Sequence, residues 1–395
     1  MIKVAILGYG VVGSGVYEII RKNAKSIKRK AGQEIDIKYI LDIRDFEDHE
    51  ESHLFTKDFN DILNDDEVSV VIEVMGGTNP AYDFSKAALL AGKHVVTSNK
   101  ELVATHGTEL LNIAKEHNIN YLFEASVGGG IPIIRPLNQC LAANEIEEIY
   151  GILNGTTNYI LTKMIKEGAG FEEALKEAQE KGYAERNPSA DVDGIDACRK
   201  IAILASLASG KFVDSQKILT EGISKLEKAD AKYAEKMNCV IKLIGYAKLE
   251  EDGRVFTRVC PMLIPDDHQL SDVNGVFNAI LVHGDSIGDV MFYGRGAGKL
   301  PTASAVVADV IDAVKHIAVN NRLIWRESAE DFLIDPSEVS GCYFVRTSDK
   351  ACADRFSEKD IIGEADGEVA FTTAEMPEKT FMRLLDGKGT YIRML

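Results

Sequence analysis

Apolar and polar positions along the first third of the chain predict strands that alternate with helices. Short apolar runs rich in β-branched residues, such as residues 2–7 (IKVAIL), are typical of buried strands, and segments with apolar residues at helical spacing follow them. Such alternation predicts an α/β fold with a parallel sheet. We expect this domain to span residues 1–134 and to be completed by a helix near residues 302–320.

The first strand leads directly into the glycine-rich segment GYGVVG, residues 8–13, which precedes the predicted helix VYEIIRKNAK. This position in a strand–helix alternation fits the GxGxxG pattern, although the pattern alone is weak evidence and a plain packing turn is the alternative. The glycines allow a tight turn and let the helix N-terminus approach a pyrophosphate. We therefore predict a Rossmann-type dinucleotide site at Gly8, Gly10, Val11, Val12 and Gly13.

The end of the second predicted strand, IDIKYIL, leaves the choice between NAD and NADP open. Asp42 follows this strand, with Arg44 and Asp45 just after it. An acid at this place accepts a ribose hydroxyl of NAD, whereas an arginine accommodates the phosphate of NADP. Both residue types are present, so the sequence predicts NADP or NAD as the cofactor.

Two further strand ends supply candidate contacts at the carboxyl edge of the sheet, where ligands bind in such folds. The buried strand VSVVIEVM ends in Gly76, Gly77 and Thr78, and the strand HVVTSN ends at Lys100, ahead of a predicted helix TELLNIAKEHN. A lysine at a strand end is often simply solvated. Its place beside the cofactor makes a substrate or nicotinamide contact an equal alternative.

A run of three glycines follows the next predicted strand, INYLFEAS. The segment VGGGIPII, from Val127 to Ile134, frees backbone carbonyls to converge, which suits either a domain hinge or a hard cation. Composition alone favours the hinge. A monovalent ion would need no dedicated cluster of carboxylates, and none accompanies the turn.

Residues 178–200 combine a polar loop with a buried helix. The predicted helix FEEALKEAQEKG stops at Gly182, and a second helix that begins near Asp193 is apolar on nearly every face. Asp196 and Lys200 lie four residues apart in its first turns and so point the same way. A structural ion pair is the simpler interpretation, but the acids of the loop, among them Glu185, favour a pocket for a small zwitterion.

The remainder of the chain predicts two further regions. Residues 135–300 are expected to form an α+β substrate and dimerisation domain with a mixed sheet, followed by a glycine-containing loop with Gly298 and a long helix from about Thr302. Residues 335–395 show a βαββαβ order, which is typical of a small ferredoxin-like or ACT-like module. That module is either regulatory or a compact extension.

Charge and composition restrict the partners. The formal net charge of −17 argues against nucleic acid and anionic membranes. No apolar run approaches the length of a membrane span, and the N-terminus has no charged leader or cleavage site. The six cysteines are scattered without metal-type spacing and suit reduced thiols. We therefore expect a cytoplasmic protein with a small-molecule substrate.

The loop and helix of residues 178–200 resemble the signature of the homoserine dehydrogenase family. The resemblance extends to GYGVVG, TSNK, EASVGGGIPII, GILNGTTNYIL and GRGAGKLPTASAVVAD, so that it covers about residues 1–325. The matching signature positions are Ala178, Gly182, Tyr183, Pro188, Asp191, Gly194, Asp196 and Lys200.

The resemblance implies NAD(P)-dependent interconversion of L-homoserine and L-aspartate 4-semialdehyde, in threonine and methionine biosynthesis. By motif position, Lys200 would donate the proton to the aldehyde oxygen, with Lys100 as a second polarising group, and Asp196 and Glu185 would hold the substrate. The contacts at the cofactor would also include Thr78 and Lys100. The glycines at the nicotinamide end would be Gly182 and Gly298.

The resemblance also implies a structural sodium ion in the EASVGGGIP segment and a homodimer, and it reverses the preference for a hinge. The tail is short for the ACT domain that many members carry, so threonine inhibition does not follow from it. Two other functions remain as alternatives: a catalytically silent NAD(P)-binding regulator, and a related semialdehyde or cyclic-imine reductase. The main-chain carbonyls implied for the ion belong to Glu124, Val127, Gly129 and Ile131.

Overall fold

The computed structural model describes residues 1–321, 323, 325–365 and 367–395. The chain forms two compact units. One comprises Met1–Glu145, Ala202–Ser215 and Gly294–Ser328, and the other Ile146–Ile201, Gln216–Tyr293 and Ala329–Leu395. Within the described part of the chain, no helix has both the length and the apolar character needed to cross a membrane.

The first unit is built on a six-stranded parallel sheet. Its strands in chain order are β1 (Ile2–Leu7), β2 (Ile35–Leu41), β3 (Phe55–Thr56), β4 (Val68–Glu73), β5 (His94–Thr97) and β6 (Tyr121–Leu122). They stand in the order β3-β2-β1-β4-β5-β6, which is the doubly wound arrangement of dinucleotide-binding domains. Since β1 lies between β2 and β4, its carboxyl end is at the point where the strand order reverses. The sheet confirms the predicted Rossmann-type fold class.

Helices connect these strands and bury their apolar sides. They are α1 (Val11–Lys22), α2 (Ala24–Ala31), α3 (Asn60–Leu63), α4 (Ala81–Leu90) and α5 (Lys100–Glu116). Two predicted boundaries are wrong. α5 begins eight residues earlier than TELLNIAKEHN suggested, because Asn99 caps its first turn by accepting a hydrogen bond from Leu102 N at 3.1 Å. β6 ends at Leu122, and Glu124–Ser126 form a 3₁₀ turn in place of the end of the predicted strand.

The rest of the chain contributes the second unit and the remaining parts of the first. The strands are β7 (Ile146–Ile152), β8 (Leu219–Thr220), β9 (Cys239–Leu249), β10 (Val255–Pro265), β11 (Phe277–Gly284), β12 (Gly288–Arg295), β13 (Ser340–Gly341), β14 (Tyr343–Thr347), β15 (Lys359–Ala365), β16 (Glu368–Thr373), β17 (Met376–Pro377) and β18 (Thr390–Met394). The helices are α6 (Gly155–Glu167), α7 (Phe171–Glu180), α8 (Ser189–Val192), α9 (Ile195–Ser209), α10 (Lys228–Lys236), α11 (Lys299–Lys315), α12 (Lys350–Ala353) and α13 (Glu378–Leu385).

α11 completes the first unit by packing on α1. A Cβ atom built at Gly15 would lie 2.9 Å from Lys299 O and 3.0 Å from the Cβ of Ala303, so the two helices approach too closely for any larger residue at Gly15. Ala303, Val306 and other residues of α11 belong to the same buried cluster as the strands of this unit. The helix starts at Lys299, three residues before the predicted onset near Thr302, because the chain turns into it at Gly298.

One mixed sheet runs through the second unit and includes the tail. Its strands stand in the order β12-β11-β7-β9-β10-β18-β14-β16-β15, with β8 beside β10. The βαββαβ order predicted for residues 335–395 is present, with the short β13–β17 pair added to it. β18 pairs in parallel with β10, where Met262 faces Arg393, so the tail extends the sheet of the middle region.

Candidate active site

The loop after β1 has the geometry of a pyrophosphate cradle. Gly8 has a positive φ of 95°, and a Cβ at Gly13 would lie only 1.9 Å from Gly8 O, so neither position tolerates a side chain without rearrangement. Gly10, at the N-terminus of α1, would meet no protein atom within 4 Å. The open face of the loop, together with main-chain N–H groups at the start of α1, fits the predicted dinucleotide.

The carboxylate at the end of β2 is already bound by neighbouring groups. Asp42 accepts hydrogen bonds from Tyr9 N at 2.8 Å and from the Arg44 guanidinium at 2.9–3.0 Å. The Arg44 side chain is the main reason that the pKa of Asp42 falls to about 2. A cavity of about 400 Å³ adjoins this pair and also contains Lys57 and His53. Asp42 and Arg44 thus contact each other at the end of β2. This contact gives the predicted ambiguity between NAD and NADP a structural basis.

Thr78 and Lys100 follow the neighbouring strands β4 and β5. Gly77, with φ of 74°, turns the chain after β4, and Asn99 Nδ2 donates to Gly77 O at 2.6 Å. Lys100 is the first residue of α5 and not a strand end as predicted. Asn99 therefore ties the two loops together, and both predicted contacts belong to the carboxyl edge of the sheet in the first unit.

In the second unit, the predicted pair at the start of α9 is an ion pair. Lys200 Nζ lies 2.8 Å from Asp196 Oδ2 and donates a second hydrogen bond to Leu153 O at 2.7 Å. Lys200 is 7% exposed and Asp196 is 4% exposed, so both charges are largely removed from water. Burial of this kind strengthens electrostatic interactions with any group that enters the site.

Asn154 is the member of this site that sequence reasoning missed as a partner of the pair. Its Nδ2 donates to Asp191 Oδ1 at 2.7 Å and to Asp196 Oδ2 at 2.9 Å, while its Oδ1 accepts from Thr157 N at 2.9 Å and caps α6. The sequence signal was an Asn after a strand and before a helix, which predicts a cap. Nothing in that spacing predicts a bond to an aspartate 42 residues away.

The loop that precedes α9 carries the remaining predicted substrate contact. Gly182 has a positive φ of 73° and lets the chain leave α7. Glu185 is exposed, and its main-chain carbonyl accepts a hydrogen bond from Gln179 Nε2 at 3.0 Å. The structure thus joins Asp196 and Lys200 and leaves Glu185 on the surface of the loop.

The glycine turn after β6 is held by a buried carboxylate. Glu124 accepts hydrogen bonds from the main-chain N–H groups of Ile133, Ile134 and Arg135 at 2.6–2.9 Å. Gly129 has φ of 56°, and a Cβ there would lie 2.2 Å from Gly296 O. Two carbonyls of the turn, those of Phe123 and Gly128, accept hydrogen bonds within it, and neither belongs to the predicted set of ion ligands. The donor chemistry that the turn offers to an ion is main-chain oxygen.

Comparisons with known proteins identify the family that the chain resembles along most of its length. A family model for the homoserine dehydrogenase NAD binding domain matches residues 8–124, and a homoserine dehydrogenase model matches residues 132–311. A homoserine dehydrogenase from Bacillus subtilis is 42% identical over 351 residues, which cover 87% of this chain and 81% of that protein.

Two solved structures extend the similarity to the fold. The crystal structure of a homoserine dehydrogenase from Thiobacillus denitrificans has a TM-score of 0.91 and 36% identity, covering 100% of this chain and 98% of that one. A hyperthermophilic archaeal homoserine dehydrogenase mutant, solved in complex with NADPH, has a TM-score of 0.68 and 30% identity, covering 79% of this chain and 97% of that one.

The doubly wound sheet, its glycine loop and the matched NAD binding domain define an NAD(P)-dependent oxidoreductase. The second matched domain contains the Lys200–Asp196 pair. The chain belongs to the homoserine dehydrogenase family. The enzyme class, the small-molecule substrate and the family resemblance predicted from the sequence are confirmed.

Proposed function

We propose that this enzyme interconverts L-homoserine and L-aspartate 4-semialdehyde at the Lys200–Asp196 pair, with Lys200 as the proton donor. The observation that carries the proposal is a buried ammonium fixed at 2.8 Å from a buried carboxylate at the start of α9. An ammonium in such a place is positioned to protonate an oxygen that develops negative charge.

The roles of the chain's own residues follow from that placement. A dinucleotide held at Gly8, Gly10 and Gly13 would supply the hydride in reduction and accept it in oxidation. During reduction, Lys200 Nζ stabilises the charge on that oxygen and then donates a proton to it. Asp196 and Leu153 O orient the ammonium, since each lies within 2.8 Å of it. In the direction of oxidation, Lys200 accepts the same proton.

The other predicted residues support this step. Asp196 and Glu185 hold the substrate. The carboxylate of Glu185, which is exposed, binds the amino group or the hydroxyl group of the substrate. Lys100 polarises the substrate as a second cation. The cofactor contacts in this proposal are Gly8, Gly10, Val11, Val12, Gly13, Thr78, Lys100, Gly182 and Gly298.

A structural sodium ion belongs to the proposal as well. Its ligands would be the main-chain carbonyls of Glu124, Val127, Gly129 and Ile131. Support comes from the turn itself, where the Glu124 carboxylate binds three main-chain N–H groups and the glycines bring the backbone into close contact. Hard cations prefer such oxygen ligands.

We also propose a homodimer in the cytoplasm. The edge strand β12 exposes Met291 at 40% and Tyr293 at 52%, and apolar side chains on a sheet edge suit a subunit contact. Scattered cysteines without metal-type spacing suit a reducing compartment. Sedimentation of the full chain tests the dimer, since a monomer at micromolar concentration contradicts it.

The test of function is homoserine-dependent reduction of NAD and NADP, followed side by side with and without threonine. We expect turnover with at least one cofactor. A folded preparation that binds NADPH but turns over neither cofactor would favour the catalytically silent regulator. Turnover only with other semialdehydes or cyclic imines would favour a related reductase. The comparison of turnover with and without threonine tests whether residues 335–395 regulate the enzyme.

A further inference from the structure

A carboxyl group that the proposed mechanism does not use is buried at the carboxyl end of a central strand of the cofactor-binding sheet. Glu73 is the last residue of β4, it is 0% exposed, and β4 lies between β1 and β5 near the middle of the sheet. Burial raises the pKa of Glu73 to about 7, against opposing hydrogen bonds from Thr97 and Met75 N. Burying a carboxyl group is costly, so its contacts matter.

The two oxygens of Glu73 connect the ends of two neighbouring strands. Oε1 accepts a hydrogen bond from Met75 N at 2.8 Å, just beyond the end of β4. Oε2 accepts one from Thr97 Oγ1 at 2.5 Å, at the last residue of β5. One carboxyl group therefore fixes where the chain leaves the sheet after β4 and again after β5.

A relay of hydrogen bonds continues from Thr97 into both loops. Thr97 Oγ1 accepts from Asn99 N at 2.9 Å, and Asn99 Nδ2 donates to Gly77 O at 2.6 Å. Asn99 Oδ1 accepts from Leu102 N at the start of α5. The bonds close a ring that runs from Glu73 through the loop after β4, across to Asn99, and back through Thr97.

We propose that Glu73 is a positioning residue, whose carboxyl group holds the two loops that present Thr78 and Lys100 to the cofactor and substrate. Thr78 follows Gly77 directly, and Lys100 follows Asn99, so each is adjacent to a member of the ring. The inference rests on the proposed roles of Thr78 and Lys100.

In its ionised form, Glu73 accepts a hydrogen bond at both oxygens. Met75 N can only donate, and the Thr97 hydroxyl, which already accepts from Asn99 N, donates to Glu73. A glutamine at this position presents one acceptor and one donor. Whichever way its amide is turned, it either places a donor against Met75 N or takes away the acceptor of the Thr97 hydroxyl.

The experiment compares four variants of the full chain: Glu73→Gln, Thr97→Val, Thr97→Ser and Thr108→Val. Thr108 is the matched control, because its buried hydroxyl in the same unit accepts from Trp325 Nε1 at 2.9 Å, away from the ring. The readouts are the Kd for NADPH, kcat and KM for L-homoserine, and the thermal unfolding midpoint.

We expect Glu73→Gln and Thr97→Val to raise the Kd for NADPH at least tenfold and to lower kcat/KM by roughly 10- to 100-fold, since small misplacements of binding groups have effects of that size. Thr97→Ser keeps the hydroxyl and should stay within threefold of wild type. Thr108→Val should lower the unfolding midpoint and leave the Kd and kcat/KM within threefold.

Two results would overturn the inference. One is a folded Glu73→Gln enzyme that binds NADPH and turns over homoserine within threefold of wild type. The other is an equal loss of NADPH affinity in Thr108→Val and Thr97→Val, which would show a general effect of buried hydroxyls. The Kd for NADPH needs no turnover, so an inactive wild-type chain would refute the proposed function while this comparison still decides the role of Glu73.

Discussion

Breaking the buried Lys200–Asp196 pair should destabilise the protein strongly, whereas removing both partners should not. Lys200→Met leaves the Asp196 carboxylate buried at 4% exposure, and Asp196→Leu leaves the ammonium buried at 7% exposure. An uncompensated buried charge costs about 3–5 kcal/mol. We expect the lower end of this range, because Asn154 still donates to Asp196 in the first variant and Leu153 O still accepts from Lys200 in the second.

The double variant removes both charges and replaces them by apolar side chains of similar size. Replacements of this kind are often neutral or stabilising. Asn154 Nδ2 would lose one acceptor but keep Asp191, so a residual loss of about 1–3 kcal/mol is expected. The coupling energy between the two substitutions should therefore exceed about 2 kcal/mol, at the upper end of what neighbouring residues show.

The assay is urea unfolding of wild type, both single variants and the double variant at pH 7, followed by circular dichroism. Equal dependence of the free energy on urea across the four proteins is the control that the same transition is measured. Losses that add within about 0.5 kcal/mol would refute the reasoning, because independent sites add in this way. All three variants should also show strongly reduced homoserine turnover, whatever their stability.

Three further predictions concern the cofactor loop, the cap of α6 and cofactor choice. Gly13→Ala should unfold the loop and lower the melting temperature, since its Cβ would lie 1.9 Å from a carbonyl oxygen, whereas Gly10→Ala should keep the melting temperature and weaken NADPH binding. Asn154→Ala should destabilise the chain by about 1–2 kcal/mol in urea unfolding and lower kcat, because it loses a cap and the contacts to two aspartates. Arg44→Ala should lower kcat/KM for NADP relative to NAD by roughly tenfold, since it releases Asp42 for a ribose hydroxyl.

Each of these predictions has a control or a contrary outcome. For the glycines, Gly10→Ala with unchanged NADPH affinity would exclude the loop as the pyrophosphate site. Asp349→Ala removes a similar cap from α12, where Asp349 accepts from Cys352 N at 3.1 Å, and it should destabilise without loss of turnover. If Arg44→Ala leaves the NADP-to-NAD ratio within twofold, the end of β2 does not select the cofactor.

Local patterns in the sequence were sufficient to predict much of the fold. The glycines of residues 8–13 and the apolar strands specify the doubly wound sheet, because turn geometry and burial are set by adjacent residues. The four-residue spacing of Asp196 and Lys200 likewise places both side chains on one side of α9. Such features need no knowledge of distant contacts.

The sequence did not predict features that depend on contacts between residues far apart in the chain. The bond from Asn154 to Asp196 joins residues far apart in the chain, and the ring around Glu73 joins two strand ends. Helix starts were misplaced at Lys100 and Lys299, where the cap at Asn99 and the turn at Gly298 begin the helices. The domain boundaries and the site roles remain predictions.

The most direct test of the central claim compares wild type with Lys200→Met in two measurements on the same preparations. One is kcat for L-homoserine with saturating cofactor, and the other is the Kd for NADPH. A lost proton donor should lower kcat by roughly 10²- to 10⁴-fold, while the Kd for NADPH stays within threefold. A kcat for Lys200→Met within threefold of wild type would contradict the assignment of Lys200 as the proton donor.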